Sequence, residues 1–331
     1  MNSGTTDFGR RAFVRLAVGS LAAGTLAACA PGVARLASPP ASRKALDARA
    51  FTAARRYART RFGNIAYVEQ GGGDAALFLH GFPLNGFQWR AVLPQLADVR
   101  RCVAPDFLGL GYTEPAAGQS VAPAEQADML VSFMDTLGIG QADVVANDSG
   151  GAVAQLLATR HPDRVRSPLL TNCDTEHECP PAAMAPVIAM SHQRTYVDTW
   201  LRPWLEDKAL ARSSQGLGGM TFCKPGQPTD EALEMYLSPL VAHPDRTHAY
   251  ALALEENSLA GIGPKLAACP APVRVVWGMS DTIFSPAGAA YLDRTFAHSR
   301  GVHRIAEAKL FFPEEFPDVI AAEARELWSA S

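Results

Sequence analysis

Charge of one sign, metal-ligand clusters and long apolar runs are all scarce in this 331-residue chain. Thirty Lys and Arg stand against 33 Asp and Glu, a net charge of -3. That balance gives no broad electrostatic case for nucleic-acid binding. There are 6 Cys and 8 His, and none cluster at the spacing of metal ligands. No cofactor motif, internal repeat or extended low-complexity tract is visible, so neither a metal nor an organic cofactor is expected. The apolar stretch Leu16 to Ala28 is too short and too rich in Ala and Gly for a stable membrane span. What remains is 48% hydrophobic and 19% charged, enough for one globular core with an added smaller unit.

The amino terminus reads as a targeting segment. Arg10-Arg11-Ala12-Phe13-Val14 is a twin-arginine pattern ahead of that apolar stretch. Leu26-Ala27-Ala28-Cys29 resembles a bacterial lipobox, which implies cleavage before Cys29 and acylation of its sulfur. Residues 1–29 are then a signal peptide with its lipidated Cys. Residues 30–50, rich in Ala, Pro and Ser, are a flexible tether. The expected location is the periplasm, with the membrane contacted through the lipid. An oxidising compartment would permit a bridge between Cys179 and Cys223, whereas Cys102 falls in a core strand and reads as a buried thiol.

Beyond the tether, apolar strands alternate with helical patterns. Residues 74–81, 101–111 and 272–281 read as strands with their following turns. Helical periodicity falls near 122–138, 150–161 and 286–297. This alternation predicts an α/β protein with a parallel sheet covered on both faces.

The chemistry concentrates in Asp143-Val144-Val145-Ala146-Asn147-Asp148-Ser149-Gly150-Gly151. An apolar strand runs into a tight turn and small residues lead on into a helix, the shape of a nucleophile elbow. Such a turn needs small residues two before and two after its apex. Ala146 and Gly150 meet that need around Asp148. Centred on Ser149 instead, the turn would place Asn147 where a small residue belongs. An Asp apex supplies a carboxylate, ionised at pH 7 when unperturbed, that attacks carbon without a base.

Four landmarks occur in order: His80-Gly81-Phe82-Pro83, Asp106 to Gly111, the elbow, and Trp277-Gly278-Met279-Ser280-Asp281. Together they resemble the α/β-hydrolase family over roughly residues 55–331. The elbow Asp resembles the epoxide hydrolase and haloalkane dehalogenase branch. The resemblance implies a mostly parallel sheet flanked by helices, with a core of 51–175 and 265–331 and a helical cap at 176–264. It implies an oxyanion hole from the amides of Phe82 and Ser149. It also implies that Asp281 orients a catalytic His, with Asp174 as an alternative acid.

That His has no obvious counterpart. Aligned on Glu314, Glu315 and Pro317, its position falls on Leu310. Lys309 is adjacent, but its reference pKa near 10.4 makes it a poor base. His303 sits near the start of the last strand and reads as structural. His177, His192, His243 and His248 lie in the expected cap, and nothing in the sequence selects one.

Cap aromatics should close an apolar pocket over the elbow. Tyr196, Tyr236 and Tyr250 are candidate donors to an opening epoxide oxygen. A halide site is less well provided, because Ser149 follows the elbow Asp and Phe82 follows His80-Gly81. The leading expectation is an exported hydrolase that uses Asp148 on a small apolar epoxide or related electrophile. The alternatives are an impaired hydrolase fold binding an apolar ligand and a serine esterase using Ser149. Oligomeric state is not legible.

Overall fold

The computed structural model describes residues 44–329. The signal segment, Cys29 and the tether up to residue 43 lie outside the described residues. The tether expectation ends too late, because the chain is already docked at Leu46, whose amide donates to the Arg90 carbonyl at 3.0 Å. A helix follows at Ala48–Ala54, where the Asp47 side chain caps the amide of Ala50.

Nine strands form one sheet among the described residues. They are β1 (Arg56–Thr60), β2 (Gly63–Gln70), β3 (Ala75–Leu79), β4 (Arg101–Pro105), β5 (Glu114–Pro115), β6 (Ala142–Asp148), β7 (Val165–Cys173), β8 (Val273–Gly278) and β9 (Ser299–Ile305). The order is β1-β2-β4-β3-β6-β7-β8-β9, with the short β5 paired to β2. Strands β1, β2 and β5 pair antiparallel, and β2 meets β4 antiparallel. From β4 to β9 every neighbour is parallel. The central strands read Ala-Ala-Leu-Phe-Leu and Ala-Asp-Val-Val-Ala-Asn-Asp, and each is buried throughout. Continuous apolar runs are what a parallel strand covered on both faces requires.

The strand order reverses between β3 and β6. From β3 the chain steps outward to β4, and it later returns to place β6 on the other side of β3. Loops leaving the carboxyl ends of these two strands diverge, which opens a crevice between them. His80 to Pro83 follow β3 and Asp148 ends β6. The topology therefore brings the two motifs together although 65 residues separate them in sequence.

Between β7 and β8, apart from an isolated bridge between Thr175 and Glu178, the regular structure is helical. The longest pieces are Ala185–His192, Asp230–Ala242 and Pro244–Ala253, with shorter turns that include Leu217–Thr221. Thr229 caps the Asp230 helix through the amide of Ala232, and Asp230 and Glu231 complement its positive end. No helix among the described residues is long and apolar enough to cross a membrane. The cysteines from 102 onward are all free thiols, so no Cys179–Cys223 bridge forms, and Cys102 is buried as expected. Cys179 sits 3.6 Å from the Ser258 hydroxyl.

Candidate active site

Asp148 holds a backbone geometry that few L-residues adopt, with φ 56 and ψ -136. Ser149 instead opens the helix Ser149–Arg160. The apex of the turn is thus Asp148. Space around it is tight. A Cβ on Gly81 would come within 2.2 Å of the Asp148 Cβ, and one on Gly150 within 2.4 Å of the His80 carbonyl oxygen. These contacts explain why small residues stand on both sides of the turn. They also show why the His80-Gly81 motif is needed across the crevice.

The Asp148 carboxylate accepts from the Ser149 amide and from the amide of Phe82. The carboxylate is thereby fixed by two N–H donors. The rest of the group lines a pocket of about 100 Å³ with Phe82, Tyr196, Trp200, Trp204, Leu310 and other mostly apolar side chains. Burial pushes the Asp148 carboxyl up to about 7, against the pull of the two amides. The nearby Asp281 adds to the rise. Neutral pH therefore falls where this group titrates, rather than well above it as the unperturbed value implied.

Asp281 lies beyond the carboxyl end of β8. It accepts from Asn172 Nδ2 at 2.8 Å and from the Ile283 amide at 2.9 Å, and burial raises its pKa. Asp174, just past β7, is also buried, and its pKa stands well above the usual carboxylate range. Desolvation is the main cause, and Asp148 contributes. Both acids sit at the same sheet edge as Asp148.

None of the eight histidines lines the pocket with Asp148. His80 has both ring nitrogens engaged, Nδ1 with the Gly81 carbonyl at 2.9 Å and Nε2 with the Phe107 amide at 3.1 Å. Burial lowers it to about 4, so it stays neutral. His177 packs against the Tyr291 ring, His192 pairs with Glu255 and His243 is exposed. His248 Nε2 accepts from the Val197 amide at 3.4 Å. His303 pairs with Glu323, away from the site. The Lys309 ammonium donates to the Gly219 carbonyl at 2.6 Å. Leu310 itself fills the pocket wall, 2% exposed.

The three tyrosines have different fates. Tyr196 lines the pocket, and its hydroxyl makes no hydrogen bond among the described residues. Its burial alone raises its pKa. Tyr250 stacks on the Phe82 ring at 5.4 Å and places its hydroxyl 3.5 Å from Ser149 Oγ. Tyr236 departs from expectation and does not reach the pocket. Its hydroxyl is locked between Glu314 and Arg90, which donates to it at 3.1 Å. Arg90 also pairs with Glu314 at 2.7 Å, so the whole group is a buried, satisfied network.

Sequence reasoning missed Asn147. Its side chain donates to Thr171 Oγ1 at 2.8 Å and to the Leu310 carbonyl at 3.0 Å, and it accepts from Gln88 at 2.6 Å. The signal was available. Side chains alternate along a strand, so the residue before Asp148 faces away from the site. A polar side chain buried there must find partners.

Across residues 75–316 the chain matches the family model described as alpha/beta hydrolase fold. The chain belongs to this family. Haloalkane dehalogenase 2 of Mycobacterium tuberculosis (strain ATCC 25618 / H37Rv) is 30% identical over 268 residues, covering 78% of this chain and 90% of the relative. Among solved structures, the haloalkane dehalogenase DbeA from Bradyrhizobium elkani USDA94 superimposes with a TM-score of 0.67 at 26% identity, over 84% of this chain and 99% of that one. The epoxide hydrolase CorEH without ligand gives a TM-score of 0.68 at 20% identity, over 83% and 98%. The chain is thus an α/β-hydrolase, similar over most of its length to a haloalkane dehalogenase.

Proposed function

We propose that this hydrolase opens small apolar epoxides by attack of Asp148 and releases the resulting ester slowly. One observation carries the reading. A carboxylate fixed by two amides lies at the base of an apolar pocket, and Leu310 fills the wall of that pocket where an imidazole is expected. An oxygen of the Asp148 carboxylate would bond to a ring carbon while the carbon–oxygen bond of the epoxide breaks. The electron pair goes to the epoxide oxygen. The unpartnered Tyr196 hydroxyl supports this assignment, since it can donate to that oxygen and be reprotonated from solvent. A departing halide would find Ser149 and Phe82 at the two positions flanking the carboxylate, which favours the epoxide.

The ester then needs an activated water. The Phe82 and Ser149 amides would hold the oxyanion formed on the Asp148 carbonyl, but no imidazole lines the pocket to take the water's proton. Release is therefore the slow half of the cycle. The same proposal places the chain at the periplasmic membrane face, held by acylated Cys29. Arg10-Arg11 and the Leu26 to Cys29 run support that placement.

Incubation with a small terminal epoxide should add the mass of one epoxide to the intact protein. Asp148→Asn should abolish the adduct. Tyr196→Phe should slow its formation by about tenfold or more while leaving alkylation by an alkyl iodide unchanged. Fast diol formation without an adduct would overturn slow release. Neither adduct nor diol would support the alternative of a fold that binds an apolar ligand without turnover.

A further inference from the structure

The basic charge of this chain is unevenly placed. Residues 44–61 carry six Lys and Arg against a single Asp, whereas residues 62–331 carry 19 Lys and Arg against 31 Asp and Glu. Part of this stretch forms one edge of the sheet. Strand β1 is the edge of the sheet, paired only to β2 among the described strands. Ala58 faces inward at 4% exposure, and Tyr57 and Arg59 point the opposite way. Arg61 is exposed at the hairpin tip, and Arg49 is exposed on the helix Ala48–Ala54.

The local acids are engaged elsewhere. Asp47 caps the helix, and Glu231 accepts from the Ala48 amide. Glu69 serves both Arg56, at 2.7 Å, and Arg101. Glu114 accepts from Asn64. Among the described residues Lys44, Arg49, Arg59 and Arg61 make no salt bridge with any carboxylate. Tyr57 is an exposed aromatic side chain, at 52%. An exposed aromatic among unpaired cations is the composition that seats at a lipid–water boundary.

We infer that the β1 edge and the helix before it form a docking face for an anionic phospholipid surface. Charge complementarity sets the partner. The strip is cationic, and its exposed Tyr57 suits an interface with an apolar side, which a duplex nucleic acid lacks. The strip begins 15 residues after Cys29, so the proposed lipid anchor would leave it within reach of the bilayer. The inference does not depend on the anchor. It concerns the folded surface, and its test removes the anchor.

The full chain carrying Cys29→Ala is mixed with vesicles of phosphatidylcholine alone or with phosphatidylglycerol added, and binding is read by co-sedimentation. Binding should require phosphatidylglycerol and disappear at high salt. The triple variant Arg49→Gln, Arg59→Gln, Arg61→Gln should lose about a hundredfold in affinity. Arg294→Gln, Arg300→Gln, Arg304→Gln, on and beside the opposite edge strand β9, makes the charge-matched control and should bind as the parent does. Circular dichroism checks that both triples are folded. Equal binding to both vesicle types would overturn the proposal, as would equal loss in the two triples. Binding to duplex DNA as tight as to anionic vesicles at the same salt would also overturn it.

Discussion

The Asn147 side chain donates to the Leu310 carbonyl at 3.0 Å, tying the residue before the elbow to the residue that stands where an imidazole is expected. Leu310 is therefore pinned beside Asp148 from within the core. Its side chain does not hang in a loose loop that could move aside for another group. The substitution at 310 is built into the wall of the site, and its consequences can be tested there.

Leu310→His should restore the second half of the proposed cycle. The backbone anchor to Asn147 is independent of the side chain, so the ring would start from the same pocket wall. Asp281 lies at the same sheet edge, already ordered by Asn172 and the Ile283 amide, and can orient the ring. A general base contributes about 10²–10⁴-fold. Steady-state diol release should rise by at least about tenfold, and the intact-mass adduct should become transient. An unchanged adduct lifetime in a folded Leu310→His variant would show that Asp281 does not reach the ring.

The pH dependence follows from burial of Asp148. Its carboxyl titrates at about 7 in the folded chain, above its ordinary value of 3.8. The rate of adduct formation should rise with pH through about 7 and level off above it, because only the carboxylate attacks. Stability should run the other way. The folded state holds the proton more tightly than the unfolded state, so this group's ionisation erodes stability as pH climbs from about 4 to about 7. Asp148→Asn should then stabilise the fold at pH 8 by on the order of 2–4 kcal/mol relative to its effect at pH 4. Urea denaturation at the two pH values measures the difference. Equal effects at both would place the titration elsewhere.

The Arg90–Glu314–Tyr236 network links the core to the helices between β7 and β8. Arg90→Met removes the cation and leaves Glu314 buried at 7% exposure with only the tyrosine hydroxyl beside it. Breaking one side of a buried pair costs about 3–5 kcal/mol. The expected outcome is a loss of that size in chemical denaturation. Arg90→Met combined with Glu314→Gln should recover much of it, since the stranded charge is gone.

Much of this was legible in the residues, for physical reasons that differ from place to place. The apolar runs before His80 and Asn147 can only be buried strands, and small residues around Asp148 can only serve a cramped turn. Those rules are local. Tyr236 was misjudged because its role is set by Arg90 and Glu314, 146 and 78 residues away. No spacing rule announces a partner that only the fold supplies. The first turn of the helix at Ala48–Ala54, as far as Ala50, falls in the expected tether because its Ala-rich composition fits both. What decides is Leu46 docking on the Arg90 carbonyl. The raised pKa of Asp148 likewise depends on how completely the inserted helices cover it.

One corner of the pocket is closed by the backbone itself. The Phe311 amide donates to the Thr221 carbonyl at 3.0 Å, Lys309 donates to Gly219, and Glu315 accepts from the amides of Cys223 and Lys224. Four residues of the insert and three between 309 and 315 are thereby stitched along one seam. Traffic into the pocket must pass elsewhere. Among the residues lining the pocket only Ala183 is exposed, and Met184 beside it is half-buried. Where the pocket meets solvent it therefore presents a small side chain and a flexible thioether, a pairing better suited to slender guests than to broad ones.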